Sequence, residues 1–287
     1  MPTGLLGLRS PGGVDVLFED LPRLYRPEDW KWWPLPFLMA FERGSGPRYG
    51  PRIWRSITEL LKEPRQYLLS HRNGYFRTVP QLLWMHYGIG KHADFHGEDR
   101  AKHLGFFGEK QLAWDVEDTT LGLTPDLFCP DLKILWDYKT CTAFDAKRLL
   151  MNPGRALEEK PEWYWQVNLY RLALLQLGEA PQGIDRIFIQ PLIRDWRNRE
   201  QKDAARKSAT YPETGCEPIE IQIAEEAACF EKLHERISLH RLADGLEEAA
   251  LPPCSEETLW GGKRCQDYCE AIPFCSQGQG IVSSQGE

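Results

Sequence analysis

Residues 122–140 read GLTPDLFCPDLKILWDYKT, and this stretch decides the fold class. Its two halves are rich in bulky apolar residues, are bounded by Gly and Pro, and are joined by a short Cys-Pro-Asp turn, which predicts two neighbouring strands. Asp126 then lies near the end of one strand, beside Asp137 on the next. Because side chains alternate along a strand, Asp137 and Lys139 share a face and Tyr138 points away. The stretch therefore predicts two carboxylates and one ammonium on one side of a sheet.

This set of side chains is typical of phosphodiester chemistry. Mg²⁺ prefers carboxylate and water oxygens, so Asp126 and Asp137 are candidate ligands for one or two Mg²⁺ or Mn²⁺ ions. Such an ion polarises a phosphoryl oxygen and activates a water. Lys139 would orient or deprotonate that water, or neutralise charge on the phosphoryl oxygens. The alternative interpretation is a surface hairpin that carries Asp and Lys without a catalytic role.

The sequence that follows predicts a helix over about 160–177, because its apolar residues recur at helical spacing. Gln166 and Tyr170 are four residues apart and therefore share one helical face. Together they would hydrogen-bond a phosphate or a flipped nucleotide at the metal site. The alternative is a Tyr packed on the core side of the helix and a solvated Gln.

Three motifs follow one another in the chain: Pro-Asp at 125–126, Asp-x-Lys at 137–139 and Gln-x-x-x-Tyr at 166–170. The chain resembles the PD-(D/E)XK nuclease superfamily, specifically its RecB-like and AddB-like branch. The resemblance implies an α/β fold in which helices flank a central mixed β-sheet, the restriction-endonuclease-like core, with a helical N-terminal part. Joint occurrence of the three motifs is far more specific than any one of them.

The same resemblance implies roles for individual residues. Asp126 and Asp137 would hold the metal, with the main-chain carbonyl of Tyr138 and the imidazole of His92 completing the ligand shell. His92 ends a Gly-x-x-x-His pattern, and neutral imidazole is a common metal ligand. His96 is the alternative histidine, and a structural His remains the alternative role. Glu109 falls where the family carries an acidic residue at the start of its first core strand, and a strand-edge charge is its alternative role.

A second group of candidate ligands lies near the C-terminus. It comprises Cys254, Cys265, Cys269 and Cys275, which fall close together among Gly and Pro residues. Four thiolates bind Zn²⁺ or an iron–sulfur cluster. Disulfides are the alternative. The N-terminus lacks the basic start and long apolar run of a signal peptide, so we expect a cytoplasmic protein, in which a metal site is favoured over disulfides.

The resemblance favours iron over zinc. AddB-type nucleases and the nucleases of CRISPR adaptation hold a 4Fe–4S cluster with one cysteine before the core and three after it. Cys265, Cys269 and Cys275 resemble the later trio, although their first gap is one residue longer. Glu63 stands where the early cysteine would be, and Cys254 is predicted to replace it from the C-terminal side. This departure leaves Zn²⁺ open as the alternative.

Composition is compatible with a nuclease but does not single one out. The 287 residues carry a formal net charge of −7, so any nucleic-acid contact must be local. No apolar run approaches the length of a membrane span, so no membrane contact is expected. Two basic runs are candidate paths for a nucleic acid, and solvated faces are the alternative. The first run is Arg43, Arg48, Arg52, Arg55, Lys62, Arg65, Arg72 and Arg77. The second is Arg194, Arg197, Arg199, Lys202, Arg206 and Lys207.

The predicted organisation has three parts. They are an irregular Pro- and Trp-rich arm over 1–50, a nuclease domain over 51–250, and a cysteine cluster with a polar tail over 251–287. Within them we predict helical structure near 52–104 and 224–250, a helix or loop at 143–152, a polar loop at 195–215, and a frayed tail beyond Ser276. Strands are predicted near 109–116, 121–128, 133–139, 186–193 and 218–223.

Together these features predict a Mg²⁺- or Mn²⁺-dependent DNA nuclease. We expect an exonuclease-type enzyme that acts on DNA ends or single strands in recombination, repair, phage replication or CRISPR adaptation, with a protein partner from such a pathway. Two alternatives remain open. One is a DNA- or protein-binding subunit that keeps the fold without cutting, and the other is a structure-specific endonuclease.

Overall fold

The computed structural model describes residues 5–31, 33–42, 52–83 and 105–284. By its contacts the chain divides into two compact units. The first contains 1–50, 62–86 and 236–287, and the second contains 51–61 and 87–235. The predicted ranges 1–50 and 251–287 thus both belong to the first unit, and most of the predicted nuclease range belongs to the second.

The described residues form strands and helices that occur in runs along the chain. The strands are β1 (Leu5–Arg9), β2 (Asp15–Leu17), β3 (Arg55–Ser56), β4 (Tyr75–Thr78), β5 (Phe107–Gly108), β6 (Leu112–Val116), β7 (Thr119–Leu123), β8 (Leu127–Cys129), β9 (Ile134–Cys141), β10 (Arg186–Ile193) and β11 (Ile219–Ile221). The α-helices are α1 (Leu21–Leu24), α2 (Leu35–Met39), α3 (Ile57–Leu60), α4 (Pro64–Asn73), α5 (Ala143–Met151), α6 (Ala156–Glu159), α7 (Pro161–Gln176), α8 (Asn198–Arg206), α9 (Glu226–Asp244), α10 (Glu256–Leu259), α11 (Lys263–Asp267) and α12 (Ser276–Ser284). Across the described ranges no helix is long and apolar enough to cross a membrane.

A five-stranded mixed sheet forms the centre of the second unit, in the order β11-β10-β9-β8-β5. β9 is parallel to β10 and antiparallel to β8, and β10 is antiparallel to β11. Helix α7 packs against both β9 and β10, and α5 packs against β10. The chain is therefore a mixed α/β protein, as predicted.

A smaller sheet in the same unit has the order β3-β7-β6. The sequence predicted one strand over 121–128, and this prediction is wrong, because β7 ends at Leu123 and β8 begins at Leu127. Pro125 explains the break, since it has no N–H to continue a ladder. Its carbonyl instead accepts a hydrogen bond of 3.0 Å from the backbone N–H of Glu109. The break puts Asp126 directly before β8, in the short connection between the smaller sheet and the five-stranded sheet.

The first unit contains its own sheet, in the order β2-β1-β4. Its apolar residues form a core that includes Leu8, Leu21, Trp30 and Leu38. Gly7 is required in β1, because a Cβ there would collide with the carbonyl oxygen of Val16 on β2. The prediction of an irregular segment over residues 1 to 50 is therefore wrong for β1, β2, α1 and α2. Short strands of uneven periodicity concealed the sheet.

Three other local predictions need correction. The stretch predicted as helical near 52–104 contains β3 and β4 as well as α3 and α4, and residues 84–104 lie outside the described part of the chain. Helix α8 occupies much of the predicted loop at 195–215. Helix α12 occupies most of the tail that was expected to fray. In both of the last cases polar composition concealed a short helix.

Candidate functional site

The hairpin of β8 and β9 brings Asp126 beside Asp137. Leu127 pairs with Trp136, and continuing this antiparallel register by one residue sets the two aspartates level. Asp126 Oδ2 accepts a hydrogen bond of 2.6 Å from the backbone N–H of Tyr138. Both carboxylates are buried, Asp126 at 8% and Asp137 at 1% exposure. The predicted pairing of the aspartates is thus present, but in a buried site.

Lys139 points to the same side of β9 as Asp137. Its Nζ lies 2.6 Å from Asp137 Oδ2, and its side chain is 18% exposed. Burying two ions is costly unless they are paired and hydrogen-bonded, and here the pair is both.

The phenol of Tyr138, on the opposite face, has a raised pKa because of burial and the nearby Asp126 carboxylate.

Gln166 joins the helix α7 to this ion pair. Its side-chain Oε1 accepts a hydrogen bond of 3.0 Å from Lys139 Nζ. Its Nε2 donates to Asp137 Oδ1 at 3.2 Å and to the Tyr170 hydroxyl at 3.2 Å. The four polar residues predicted from β9 and α7 therefore form one connected network. The predicted sharing of a helical face by Gln166 and Tyr170 accounts for their mutual hydrogen bond.

The network continues to a residue that the sequence did not suggest. The Tyr170 hydroxyl lies 3.3 Å from Thr58 Oγ1 on α3. Helix α3 is fixed by a capping box, in which Ser56 and Glu59 each bond the other's backbone N–H. The Ser-x-x-Glu spacing of this box was readable from the sequence, but it does not indicate where α3 packs.

Asn168 was also missed, and it anchors α7 from the side away from Gln166. It is fully buried. Its Nδ2 donates to the carbonyl oxygens of Tyr164 and Gln222, at 2.9 and 3.2 Å, and its Oδ1 accepts from Ala224 N–H at 2.8 Å. The bonds to Gln222 and Ala224 reach outside α7 and hold the helix in one orientation, because each bond lost would leave a buried polar group unpaired. Gln166 is therefore presented to β9 by a rigidly held helix.

Two predicted residues of the site remain, a histidine and Glu109. His92, and His96 as its alternative, lie outside the described residues. Glu109 precedes β6 with a φ of 53°. Its backbone N–H bonds the carbonyl of Pro125, which places its main chain next to Asp126.

The oxygen donors fit a hard divalent ion. Mg²⁺ takes one or two carboxylates and keeps several waters, so Asp126, Asp137 and the Tyr138 carbonyl are a sufficient protein contribution. Within the described part of the chain no group of three or more His, Cys, Asp or Glu side chains is arranged to hold a metal ion. A site built on the two carboxylates of Asp126 and Asp137 has fewer than three such side chains and would not form a group of this kind.

The four C-terminal cysteines come together in the first unit. Cys265 and Cys275 are buried, Cys254 and Cys269 are partly buried, and none of the chain's eight cysteines forms a disulfide. Burial, together with the neighbouring Glu63 carboxylate and the other three thiols, raises the pKa of Cys254 to about 12. Burial also raises the pKa of Cys269 to about 11. Such thiols stay protonated unless a cation compensates their charge, and a coordinated metal does so.

Packing around these cysteines is close. A Cβ on Gly278 would meet the Ile272 side chain and lie 3.7 Å from Cys265 Sγ. The Gly278 N–H points at Cys275 Sγ, 3.4 Å away. Backbone N–H donors that bond sulfur are typical around iron–sulfur and zinc thiolates. The all-sulfur donor set fits Zn²⁺ or an iron–sulfur cluster, although the thiols are not arranged at ligand distances from a common centre.

Glu63, where the resemblance placed a cysteine, binds the stretch from Cys254 to Cys275, here called the cysteine segment, through hydroxyls. Its Oε1 accepts hydrogen bonds from Ser255 Oγ at 3.0 Å and Thr258 Oγ1 at 2.9 Å. Glu63 occupies the N-cap position of α4. A carboxylate here ties α4 to α10 and adds negative charge beside Cys254.

Glu270, next to Cys269, is a strongly perturbed carboxylate in the first unit. Burial alone would raise its pKa, but Lys62 at 3.2 Å, Arg77 at 3.7 Å and hydrogen bonds from its own backbone and Gln66 lower it to about 2. The side chain is 4% exposed. The cysteine segment is thus fixed to α4 and β4 by a buried anion that holds two cations.

Comparisons with known proteins add little to this picture. No family model matches the sequence, and no curated protein matches it. Among solved structures, the crystal structure of SSO0001 is similar at 12% sequence identity and a TM-score of 0.46, covering 84% of this chain and 94% of that chain. At this identity and TM-score the likeness establishes neither a shared fold nor a shared function.

Proposed function

We propose that the chain is a Mg²⁺- or Mn²⁺-dependent deoxyribonuclease with a restriction-endonuclease-like core. The observation that carries the proposal is the network of Asp137, Lys139, Gln166 and Tyr170, drawn from β9 and α7. Surface hairpins do not need a buried ion pair of this kind, because a desolvated pair is usually no more stable than packed apolar residues. Charges kept in a dry, preorganised site are instead typical of catalysis.

Each residue has a role that follows from its position. Asp126 and Asp137 would hold the divalent ion, with the Tyr138 carbonyl beside them. When bound, that ion polarises the phosphoryl oxygen and lowers the pKa of a water. Lys139 orients that water or neutralises negative charge on the phosphoryl oxygens.

Gln166 acts on both partners of the ion pair. By accepting from Lys139 and donating to Asp137, it fixes the distance between the ammonium and the metal ligand. Tyr170 in turn restrains the Gln166 amide. Preorganisation of this kind contributes to catalysis because the groups need not reorient during the reaction.

We infer that the four cysteines hold a metal centre, with a 4Fe–4S cluster preferred and Zn²⁺ as the alternative. The sulfur-only donor set and the close Gly278 N–H support a thiolate site. Either metal would stabilise the segment that carries it, because its binding free energy becomes folding free energy.

The substrate we propose is DNA, at ends or in single strands, in recombination, repair, phage replication or CRISPR adaptation. A protein partner from such a pathway and a cytoplasmic location stay predictions.

The test is cleavage of DNA labelled at one end, single- or double-stranded, by purified protein with Mn²⁺. We expect loss of full-length substrate, complete dependence on Mn²⁺, and short labelled or mononucleotide products from an exonuclease. Defined internal fragments would favour the structure-specific endonuclease. Binding without any cleavage, in a protein shown to bind Mn²⁺, would favour the non-cleaving subunit and contradict the proposal.

A further inference from the structure

The second basic run of the sequence forms a defined structure at one edge of the five-stranded sheet. Residues 194–215, here called the basic arm, leave the end of β10 and return to β11. Residues 194–207 of the arm carry six basic and three acidic residues, in a chain whose net charge is −7. The arm contains α8, none of whose residues is buried.

The base of the basic arm is tied to the end of β9. Arg194 N–H donates to the Cys141 carbonyl at 3.1 Å. Asp195 Oδ1 accepts from the Ala143 N–H, at the start of α5, at 2.6 Å. The arm is therefore fixed to the strand that carries Asp137 and Lys139.

The two sides of the basic arm are also tied to each other. Trp196 Nε1 donates to the Pro212 carbonyl at 3.0 Å, and Ile193 N–H donates to the Gly215 carbonyl at 2.8 Å. The Tyr211 hydroxyl accepts from Arg197 N–H at 3.2 Å and lies 3.3 Å from Glu200. These contacts hold α8, which is too short to be stable alone and buries no apolar face.

One face of α8 is basic. Arg199, Lys202 and Arg206 lie three and four residues apart, so they project to one side of the helix. An open depression of about 430 Å³ runs along this face and is lined by Asn198, Arg199, Lys202, Asp203 and Arg206. Asp203 partly neutralises the face, since it lies 4.0 Å from Arg199 and 3.6 Å from Arg206. The face still carries three cations against one anion.

The basic arm begins close to the catalytic network. In the parallel register of β9 and β10, Pro191 lies beside Lys139 and Ile193 beside Cys141. At a rise of ~3.3 Å per residue, Arg194 is only about 10 Å further along the sheet than Lys139. Phosphates of one DNA strand follow at ~3.4 Å along a duplex axis, so a strand held at Lys139 would reach the start of the arm after about three nucleotides.

We propose that the basic arm binds the sugar–phosphate backbone of the nucleic acid on one side of the scissile phosphate, through Arg199, Lys202 and Arg206. This inference rests on the proposed nuclease function. It places the path of the bound nucleic acid on the β10 side of the proposed active site. Because phosphates look alike in every sequence, the contact positions the substrate without reading bases.

The test is the salt dependence of DNA binding, measured by fluorescence anisotropy with EDTA and without divalent metal. The probes are a labelled single strand and a labelled duplex of about 20 nucleotides, which offer more phosphates than the arm can contact. The variant Lys202→Gln/Arg206→Gln removes two charges from the basic arm and keeps residues that form helices well. The matched control is Lys133→Gln/Arg186→Gln, which removes two charges at the opposite, amino ends of β9 and β10.

We expect the arm variant to bind about tenfold more weakly at physiological salt. The slope of log K against log salt should fall by about 1.8 on the duplex and about 1.4 on the single strand, since each lost phosphate contact removes ~0.9 or ~0.7. The control should change neither quantity. Equal circular dichroism spectra of both variants will exclude misfolding.

Two results would overturn the inference: an unchanged slope in the arm variant, or an equal loss in the control. Failure of the proposed function is a separate outcome. If the wild-type protein does not cleave DNA but its salt slope still depends on the arm, the nuclease proposal fails and the backbone contact stands. If the wild-type protein cleaves DNA but removing the arm charges leaves the salt slope unchanged, the nuclease proposal stands and the backbone contact fails.

Discussion

Gln166 Nε2 donates a hydrogen bond of 3.2 Å to Asp137 Oδ1, across 29 residues of sequence and between a helix and a strand. Through the same amide, Gln166 accepts from Lys139, so one side chain contacts both members of a buried ion pair. Neither contact would exist if α7 turned about its axis by one residue. The orientation of α7, held by Asn168, is therefore part of the site.

Removing the Lys139 ammonium is expected to abolish most catalysis. Lys139→Ala should lower the rate of cleavage by about 10²–10⁴-fold, the usual contribution of a positioned proton-transfer or charge-stabilising group. Lys139→Arg keeps the charge but not its geometry, so it should restore only part of the rate. Single-turnover cleavage of end-labelled DNA measures both. Full activity in Lys139→Ala would exclude Lys139 from the chemistry.

Gln166→Ala separates positioning from metal binding. Gln166 holds Lys139 as well as Asp137 and is not expected to touch the metal, so turnover should fall by about 10–100-fold and Mn²⁺ affinity, measured by calorimetry, should fall clearly less. Gln176→Ala, at the exposed end of the same helix, serves as the control. Parallel losses of metal affinity and turnover would mean that Gln166 instead supports the metal ligands.

The hairpin and its helix were predictable from sequence, because alternation along a strand and four-residue spacing along a helix are local rules. Strand alternation predicted that Asp137 and Lys139 share a face, and helical spacing predicted the same of Gln166 and Tyr170. The sequence did not give the burial of Asp137 or the contact of Thr58 with Tyr170, because both depend on how distant segments pack. It also missed α8, since a helix without an apolar face lacks the periodicity by which helices are recognised.

The cysteine centre predicts a specific metal content. Anaerobically purified protein should contain about four iron atoms per chain and absorb near ~400 nm if the cluster is 4Fe–4S, or one zinc atom without colour in the alternative. Cys269→Ser should lower metal content and thermal stability, whereas Cys216→Ser, at an exposed thiol, should change neither. Four titratable thiols and no metal in the native wild-type protein would remove the metal-site proposal.

Glu270 is expected to hold the cysteine segment in place. Glu270→Gln leaves Lys62 and Arg77 without their buried counter-charge, which should lower the free energy of unfolding by about 3 kcal/mol. Urea unfolding measures the change, with Glu257→Gln on the exposed side of α10 as the control. A loss no larger than that of the control would show that Glu270 is dispensable for stability.

The position of the cysteine segment was only partly predictable. Clustering of four cysteines in the sequence predicted that they share one centre; the four thiols lie close enough to influence one another's pKa, although within the described residues they are not arranged as a group that could hold a metal ion. Their supports, Glu63 and Glu270, were not predictable, because their partners lie roughly 200 residues apart along the chain and nothing local marks the pairing. Glu63 was noticed only as a position where the resemblance expected a cysteine.

The most direct test of the central claim compares Asp137→Asn with Asp115→Asn in Mn²⁺-dependent DNA cleavage. Asparagine keeps the shape of Asp137 but removes the charge needed to hold the metal, so cleavage should fall below about 1% of the wild-type rate. Asp115 is exposed on β6 and contacts only Arg52 and Thr120 among the hydrogen-bond partners described, so its substitution should leave cleavage unchanged. Circular dichroism and thermal melting will establish that both variants fold. Wild-type-like cleavage by folded Asp137→Asn would contradict the assignment of the active site.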